Sequence, residues 1–456
     1  MPKAHIIFIL FMYFYKLKMK LLSKLVYIEK QLNMQKILIA AFMLFCTLSI
    51  SAQNFNDFFT EGSLRVDYYH GGNAKEEFIS NDALYKEPFF GGSHINLVDT
   101  FNYGHYKYEV FDSLSNQLIY SRGYSTLFGE WRFTEEAKTN WRALSESVIM
   151  PFPKASIKLV FYKRMKNMSW DVLYTRFINP DDYNIRPQQE NKIEAHKVHY
   201  SGDPATKVDI VLLAEGYTAN EQEKFMKDAE RFKDYLLSWT PFNKMKDRFN
   251  IWVVPVVSLE SGTDIPGANV WKNTAFDSHF YTFGTERYIN TVNNKAVRDA
   301  AANAPYDQIY ILANTSKYGG AGIFNFYSIC TADNENSGFV FCHEFGHAFG
   351  GLADEYTGDA SVEDFYDLNY EPWEPNITTL TNFSKKWESM VKKGTPIPTP
   401  DTKENARVLG AFEGAGYVTN GVYRPVHDCS MKSIRDDDFC PVCVKALIDM
   451  VNFVAN

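Results

Sequence analysis

Residues 343–356 read HEFGHAFGGLADEY, and this stretch decides the fold of the half of the chain around it. On a helix, His343 and His347 lie one turn apart on the same face, so their imidazoles can bind one Zn²⁺ ion. Glu344 points to the adjacent side, where a carboxylate can hold and deprotonate a water molecule. The motif fixes only three positions, and two surface histidines on an ordinary helix would also produce it. The motif therefore indicates a metal site only in combination with the residues around it.

The residues after the histidines predict how a third ligand reaches the metal. On a continuous helix, Asp354 would lie on the same face as His343 but about 16 Å farther along the axis, at 1.5 Å per residue. Gly350 and Gly351 can end the helix and let the chain double back. We therefore predict Asp354 as the third ligand. Glu355 is the alternative, and the carboxylate that does not bind would contact a histidine.

The residues before the motif alternate between strand and helix patterns. The helix that carries the histidines has an apolar stripe of Phe341, Phe345 and Phe349, which predicts that it packs into a core. The predicted strands are continuous apolar runs at 207–213, 249–257 and 308–312. The predicted helices cover 218–237, with Thr218 and Glu221 as a capping box, and 285–302. We expect a turn at 319–322, an edge strand within 323–330 and a closing helix over 441–453. This order predicts a three-layer α/β domain with a mainly parallel sheet.

The N-terminal half shows a different pattern, because its apolar residues alternate with polar ones. The clearest runs are 64–69, 106–110 and 155–162. Alternation with period two is typical of antiparallel strands, and the aromatic content of the whole chain, 16%, is consistent with them. We predict an antiparallel β-sandwich accessory domain over residues 53–195 and a catalytic domain over residues 196–456.

The first 52 residues predict export. From Met34 the chain has a lysine, an apolar run of signal-peptide length and small residues ending at Ala52. We expect residues 34–52 to be a signal peptide and residues 1–33 to be a leader that is untranslated or non-structural. The protein would then be secreted, periplasmic or on the cell surface, without a stable membrane span after signal removal. The net charge of −8 has no basic block, so no nucleic-acid partner is expected.

Three of the cysteines lie close together in sequence near the C-terminus. Cys429 is followed by the Cys440 and Cys443 pair in C-x-x-C spacing. They can form a disulfide, or a structural zinc site if a fourth ligand is present. Export favours the disulfide.

Several motifs together resemble those of the bacterial IgA-type metallo-endopeptidase family. They are HEFGHAFGGLADEY, VDIVLLAEGYT, SGTDIPG at 261–267, GVYRP at 421–425, DCSM at 428–431 and FCPVC at 439–443. The resemblance covers about residues 199–456, and the β-rich half resembles the accessory domain of such proteins. It implies a metzincin-like α/β (α+β) zinc peptidase domain with one catalytic zinc ion. Met431 would form the hydrophobic floor beneath the metal.

The resemblance has one departure. A standard metzincin places its third ligand ten residues after the first histidine. Ala353 occupies that position here and cannot bind a metal, and Asp354 follows one residue later. Immunoglobulin A as substrate does not follow from a shared fold.

Three further residues are weaker candidates. Tyr356 and Tyr423 can donate to the oxyanion of a tetrahedral intermediate, although the chain has 28 tyrosines. His427 can act as a rival third ligand or as a substrate-binding group. Met431 can also be an ordinary core methionine.

These patterns predict a secreted zinc-dependent endopeptidase that hydrolyses extracellular proteins or glycoproteins. Glu344 would activate the water, and His343, His347 and Asp354 would bind the zinc. Two alternatives stay open: a surface binding or adhesion protein with an inactive peptidase fold, and a peptidase directed at mucin-like glycoproteins. The sequence predicts no particular oligomeric state.

Overall fold

The computed structural model describes residues 54–188, 192–358, 365–434 and 438–455, together with residues 12, 16 and 18–20. Residues 54–456 form one compact unit, and residues 1–53 form another. The predicted signal peptide at 34–52 lies outside the described residues, as does most of the predicted leader at 1–33. Within the described part of the chain, no helix is both long enough and apolar enough to cross a bilayer.

The N-terminal part of the compact unit is built from strands. They are β1 Phe59–Gly72, β2 Glu77–Glu87, β3 Tyr106–Asp112, β4 Leu118–Tyr124, β5 Arg142–Pro153, β6 Ile157–Arg164, β7 Trp170–Ile178 and β8 Ile185–Pro187. Two short helices accompany them, α1 Phe55–Phe58 and α2 Leu127–Trp131. The three strands predicted by alternation are confirmed, since they lie in β1, β3 and β6.

These strands form two four-stranded sheets, in the orders β5-β1-β2-β8 and β4-β3-β6-β7. Every pairing is antiparallel except that of β2 with β8. Buried side chains of both sheets belong to one hydrophobic cluster, for example Val66 of β1 and Val110 of β3. The alternation seen in the sequence therefore directs one face of each sheet into a shared core.

A buried charged cluster lies beside this core. The Glu77 side chain is inaccessible to solvent, and the Nε2 atom of His70 lies 3.1 Å from its Oε2 atom. The Tyr106 hydroxyl donates to the same oxygen at 3.0 Å, and Arg132 donates to the other. Burial alone raises the pKa of Glu77, but the bond from His70 and the charge of Arg132 outweigh it and lower the pKa to about 2.

This cluster predicts a pH-dependent contribution to stability. Glu77→Gln should lower the free energy of unfolding at pH 7 by about 3 kcal/mol, since one pKa unit corresponds to about 1.4 kcal/mol. The pKa in the folded state lies below the ordinary value of 4.5, so the contribution is present above that pH and is lost as the pH falls towards 2. Urea unfolding of the wild-type protein and of Glu77→Gln, at pH 7 and at about pH 3, measures the difference in unfolding free energy. An equal difference at the two pH values would contradict the assignment.

The C-terminal part is built around a six-stranded sheet. Its strands are β9 His196–His199, β10 Val208–Glu215, β11 Phe249–Val254, β12 Gln308–Ala313, β13 Gly320–Ile323 and β14 Tyr327–Thr331. The order is β13-β14-β12-β10-β11-β9. The four inner strands are parallel, and β13 and β9 pair antiparallel at the two edges. The mainly parallel sheet predicted from the apolar runs is confirmed.

Both faces of this sheet are covered, as the continuous apolar strands predict. Every residue of β10 is buried, and its side chains alternate between two cores. Ile210 and Leu212 join one hydrophobic cluster, whereas Val211 and Leu213 join the other. The second cluster also takes in Trp131 of α2, so the N-terminal part packs directly on the α/β part.

The helices and hairpin of the C-terminal part complete the mixed α/β fold. They are α3 Gln222–Ser238, α4 Asn294–Ala301, α5 Ser337–Gly350, α6 Pro441–Val454, and the hairpin strands β15 Phe412–Ala415 and β16 Val418–Arg424. The predicted capping contact before α3 is present, since Glu221 accepts from the Thr218 backbone N–H at 2.9 Å. The closing helix is confirmed as α6.

The helix predicted over 285–302 is wrong in its first half. The structure has only the eight residues of α4 there, beginning where the Asn293 side chain accepts from the backbone N–H of Ala296. Before it, Tyr288 and Asn290 form isolated β-bridges with Gly320 and His279. Isolated bridges, one of them to the edge strand, therefore replace the first turns of the predicted helix.

The glycine-rich segment is a second correction. We predicted a turn at 319–322, but these residues contain most of β13, which is the edge strand. We predicted the edge strand at 323–330, but this segment bends at Asn325, with φ 50°, and continues as the inner strand β14. A Cβ atom on Gly322 would lie 2.2 Å from the Glu344 carbonyl oxygen, and one on Gly320 would lie 2.5 Å from Val340. These glycines let the edge strand approach α5 closely.

Candidate metal centre

Helix α5 carries the histidines on a rigid, buried support. The three phenylalanines of its apolar stripe are all buried, which holds the opposite face towards a cleft. The helix ends where predicted, with Gly351 in the left-handed conformation at φ 63°. The N–H of Gly351 donates to the His347 carbonyl at 3.0 Å, and the N–H of Leu352 donates to that of Gly346 at 3.2 Å. This glycine cap reverses the chain directly after the motif.

The reversal brings Asp354 back to the histidines. Its Oδ1 atom lies 3.2 Å from the Nε2 atom of His343 and 3.4 Å from that of His347. The two Nε2 atoms lie 3.1 Å apart. Atoms bound about 2.0–2.1 Å from a tetrahedral ion lie roughly 3.3 Å from one another. The three atoms therefore have the spacing of zinc ligands.

The surrounding hydrogen bonds leave these atoms available for a metal. The Nδ1 atom of His343 donates to the Ser430 carbonyl at 2.8 Å, and that of His347 donates to the Leu352 carbonyl at 2.6 Å. In the neutral imidazole, each Nε2 atom therefore keeps its lone pair. The Asp354 Oδ1 atom is buried and has no hydrogen-bond partner among the residues that the structure describes. Two imidazoles and this carboxylate fit a zinc ion.

The charges of the site fit a cation as well. Burial alone raises the pKa of Asp354, but the nearby His347 and His343 outweigh it and hold the pKa well below its usual range. Burial alone lowers the pKa of His347, whereas the charge of Asp354 outweighs it and raises the pKa to about 9. A metal ion bound here would displace the proton that the imidazole of His347 otherwise carries, so metal binding is coupled to proton release.

Glu344 lies beside the three ligands and is not among them. The candidate ligand group consists of His343, His347 and Asp354. Burial raises the pKa of the Glu344 carboxyl above its ordinary value, although the neighbouring histidines oppose the shift. A carboxylate with a raised pKa next to a metal site is suited to accept and return a proton.

Tyr417, which the sequence did not single out, fixes the orientation of Asp354. Its hydroxyl donates to the Oδ2 atom, which leaves Oδ1 to face the histidines. Burial raises the pKa of Tyr417 well above its ordinary value, so the hydroxyl keeps its proton. The Tyr417 ring also contacts that of Tyr356 edge to face, with centroids 5.2 Å apart.

Removing this hydroxyl should weaken metal binding. Tyr417→Phe is expected to lower zinc affinity roughly 10–100-fold, the usual cost of losing a group that orients a ligand. Competition against a chromophoric chelator measures the affinity. Tyr423→Phe is the matched control, since the Tyr423 hydroxyl donates to Glu413, at 3.5 Å, and not to a candidate metal ligand. Equal affinities of the two variants would exclude the orienting role.

Glu355 and Met431 were also predicted to lie at the metal, and the structure gives each of them other contacts. The Glu355 carboxylate accepts from Asn376 at 3.0 Å and lies 3.2 Å from the Cys443 sulfur, so it faces away from the histidines. Met431 is fully buried and contacts α5, because its sulfur would lie 2.9 Å from a Cβ atom on Gly346. Its carbonyl accepts from the Glu355 N–H at 2.7 Å.

The remaining predicted residues separate into two groups. Tyr356 lines the cleft above the histidines, and Arg287 donates to its hydroxyl at 3.2 Å. Tyr423 and His427 are both described and lie outside the lining of this cleft. The Nε2 atom of His427 instead lies 3.1 Å from Asp401. The five cysteines from Cys330 onward are buried free thiols.

The cleft has a volume of about 970 Å³, and the N-terminal part forms one of its walls. Glu130 and Phe133 line it together with Glu344 and His347. Burial raises the pKa of Glu130 to about 7, although the Tyr288 hydroxyl donates to it and opposes the shift. No sequence signal marks Glu130 as part of a site, because its partners lie more than 150 residues away in the chain.

Two family models match the chain. The model described as IgA Peptidase M64 matches residues 197–407 and 401–451. The model described as Peptidase M64 N-terminus matches residues 54–175. No curated protein matches the chain. The first model includes every residue of the candidate metal centre, and the second includes the wall of the cleft that contains Glu130.

Proposed function

Since the chain belongs to the IgA peptidase M64 family and is therefore a metallopeptidase, we propose that it is a zinc-dependent endopeptidase. The observation that carries the proposal is the buried Oδ1 atom of Asp354. It has no hydrogen-bond partner in the described part of the chain and lies within 3.4 Å of two imidazole nitrogens. In a surface-binding protein without peptidase activity, nothing would select for two imidazoles and a buried carboxylate at this spacing beside Glu344. The geometry therefore favours an active enzyme over an adhesion protein.

Zinc at this site would supply Lewis acidity, which makes water nucleophilic near neutral pH and polarises the substrate carbonyl. His343, His347 and Asp354 would hold the ion. Glu344 would accept a proton from the attacking water and return it to the leaving amine as the peptide bond breaks. Its raised pKa suits both directions of transfer.

Tyr356 and Arg287 are placed to help with the developing negative charge. Both line the cleft, and the Arg287 guanidinium donates to the Tyr356 hydroxyl. The Tyr356 oxygen accepts this bond, so the bond does not use the hydroxyl proton of Tyr356. We propose that the pair stabilises the oxyanion of the tetrahedral intermediate.

The substrate is proposed to be a protein chain. A cleft of about 970 Å³ is large enough for several residues on either side of the scissile bond. We propose that the catalytic part is metzincin-like, with Met431 beneath the metal, and that the N-terminal part is a β-sandwich. Its residues Glu130 and Phe133 would then contribute to the choice of substrate.

The site of action is proposed to be outside the cytoplasm. The proposal rests on the signal-peptide pattern at 34–52. Sequencing of the N-terminus of the exported protein should find Gln53 first. Retention of residues 34–52 in a cytoplasmic protein would contradict export.

The experiment for the proposed activity combines metal analysis with cleavage-site profiling. The purified protein is incubated with a diverse peptide mixture, and mass spectrometry identifies the new termini. Elemental analysis distinguishes zinc from iron, which two histidines and a carboxylate can also bind. Cleavage within peptides that disappears on chelation and returns with Zn²⁺ supports the proposal. Chelator-resistant cleavage, or none by the zinc-loaded protein, would reject it.

A further inference from the structure

A second group of potential metal ligands lies behind the candidate metal centre. It consists of Glu355, Cys429, Cys440 and Cys443, and all four residues are buried. Glu355 comes from the loop after α5, Cys429 from the segment before Met431, and the other two from the start of α6. Residues distant in sequence therefore converge on one point in the interior.

The spacing within this group fits one tetrahedral ion. The sulfur of Cys443 lies 3.5 Å from that of Cys440, 4.0 Å from that of Cys429 and 3.2 Å from Oε1 of Glu355. Thiolates bound about 2.3 Å from a tetrahedral zinc lie roughly 3.8 Å apart. One ion can therefore contact all three sulfurs and the carboxylate without a large movement of any of them.

The environment of the group also points to a cation. The Glu355 Oε2 atom is buried and finds no hydrogen-bond partner among the described residues, which is costly for a carboxylate in the interior. The backbone N–H groups of Cys440 and Cys443 donate to the sulfurs of Cys429 and Cys440, at 3.3 and 3.5 Å. Such bonds stabilise thiolates bound to a metal.

We propose that Glu355, Cys429, Cys440 and Cys443 form a second, structural zinc site. Three thiolates and a carboxylate complete a tetrahedral shell and leave no position for water or substrate, so the site is structural and not catalytic. A thiophilic divalent cation is the ligand class, since sulfur donors select zinc over magnesium or calcium. This site supplies the fourth ligand that the cysteine spacing alone lacked.

The second site would hold the first one in place. Glu355 directly follows Asp354, the third ligand of the first site. Cys429 directly precedes Ser430, whose carbonyl accepts from His343. One ion would thus anchor both non-helical segments that contact the histidines, and would tie them to α6.

The competing occupant of this position is a disulfide. A disulfide joins only two of the three sulfurs and would give no new partner to the third thiol or to the buried Oε2 atom of Glu355. A zinc ion engages all four groups and offsets two of the four negative charges that three thiolates and a carboxylate carry. The geometry therefore favours the metal, and the thiol content of the protein distinguishes the two.

Cobalt substitution of the full-length enzyme tests the proposal. Only the second site has sulfur ligands, so thiolate-to-cobalt charge-transfer absorption reports on it alone. We expect two Co²⁺ ions per chain and this absorption in the wild-type protein. Cys440→Ser should bind one ion fewer and lose the absorption, whereas Cys330→Ser, which changes a buried cysteine outside the group, should keep both.

Two further measurements keep the result interpretable. His343→Ala should lose the other ion and keep the absorption, so failure of the proposed catalytic site is distinguishable from failure of this one. Thiol titration of the denatured wild-type protein, purified without reductant, should detect every cysteine and does not depend on a variant folding. One bound ion without the charge-transfer absorption, or two missing thiols, would overturn the proposal.

Discussion

Glu344→Gln should lower kcat/KM for peptide cleavage by roughly 10²–10⁴-fold or more, while the protein keeps its zinc. The variant preserves the size of the side chain, but an amide cannot accept a proton from water. Glu344 lies beside the ligand group and not within it, so the variant keeps all three candidate ligands of the metal. Steady-state kinetics on one cleaved peptide, with elemental analysis of the same sample, measures both quantities.

The control for this variant is Glu388→Gln, which makes the same chemical change at an exposed position. It should leave both activity and zinc content unchanged. Cleavage by Glu344→Gln at the wild-type rate would exclude Glu344 as the base. Loss of zinc from this variant would instead indicate that the residue supports the metal directly.

The parts of the site closest together in sequence were the ones that could be predicted. The period of the helix places His343 and His347 on one face, and the geometry of glycine explains the reversal at Gly351. The same reasoning led to Asp354, which the structure places next to both histidines. Local rules were sufficient because all these residues lie within a dozen positions.

The sequence misled where tertiary contacts override local preference. Gly320 and Gly322 resemble turn residues, yet they form an edge strand because α5 packs against them. The segment before α4 has a helical pattern but forms β-bridges at Tyr288 and Asn290. In both places the partner that decides the conformation lies elsewhere in the chain.

Contacts between distant segments were not accessible from spacing at all. Glu130 enters the cleft from the N-terminal part, and Tyr417 reaches Asp354 from the turn of a hairpin. Glu355 was predicted to bind the zinc or contact a histidine, whereas its carboxylate lies beside Cys443. These neighbouring carboxylates therefore face different groups, Asp354 the histidines and Glu355 the cysteine.

Asp354→Ala should remove the metal from the histidine site and abolish cleavage. The substitution deletes one of three protein ligands, a larger loss than the 10–100-fold cost of removing an orienting group. The Ala353 side chain cannot replace it. Isothermal titration of the metal-free variant with Zn²⁺ should therefore show one tight site fewer than the wild-type protein.

Asp333→Ala provides the matched control, since Asp333 is an exposed aspartate paired with Lys224 at 2.9 Å. It should bind zinc like the wild-type protein. In the cobalt form, Asp354→Ala should keep the thiolate absorption, whereas Glu355→Ala should change that absorption and retain the metal at the histidines. If the two variants exchanged these effects, Glu355 would be the third ligand of the catalytic site. Whichever of the two binds at the histidines, the other carboxylate would bind the second metal ion. Substituting each carboxylate separately therefore assigns each one to its ion.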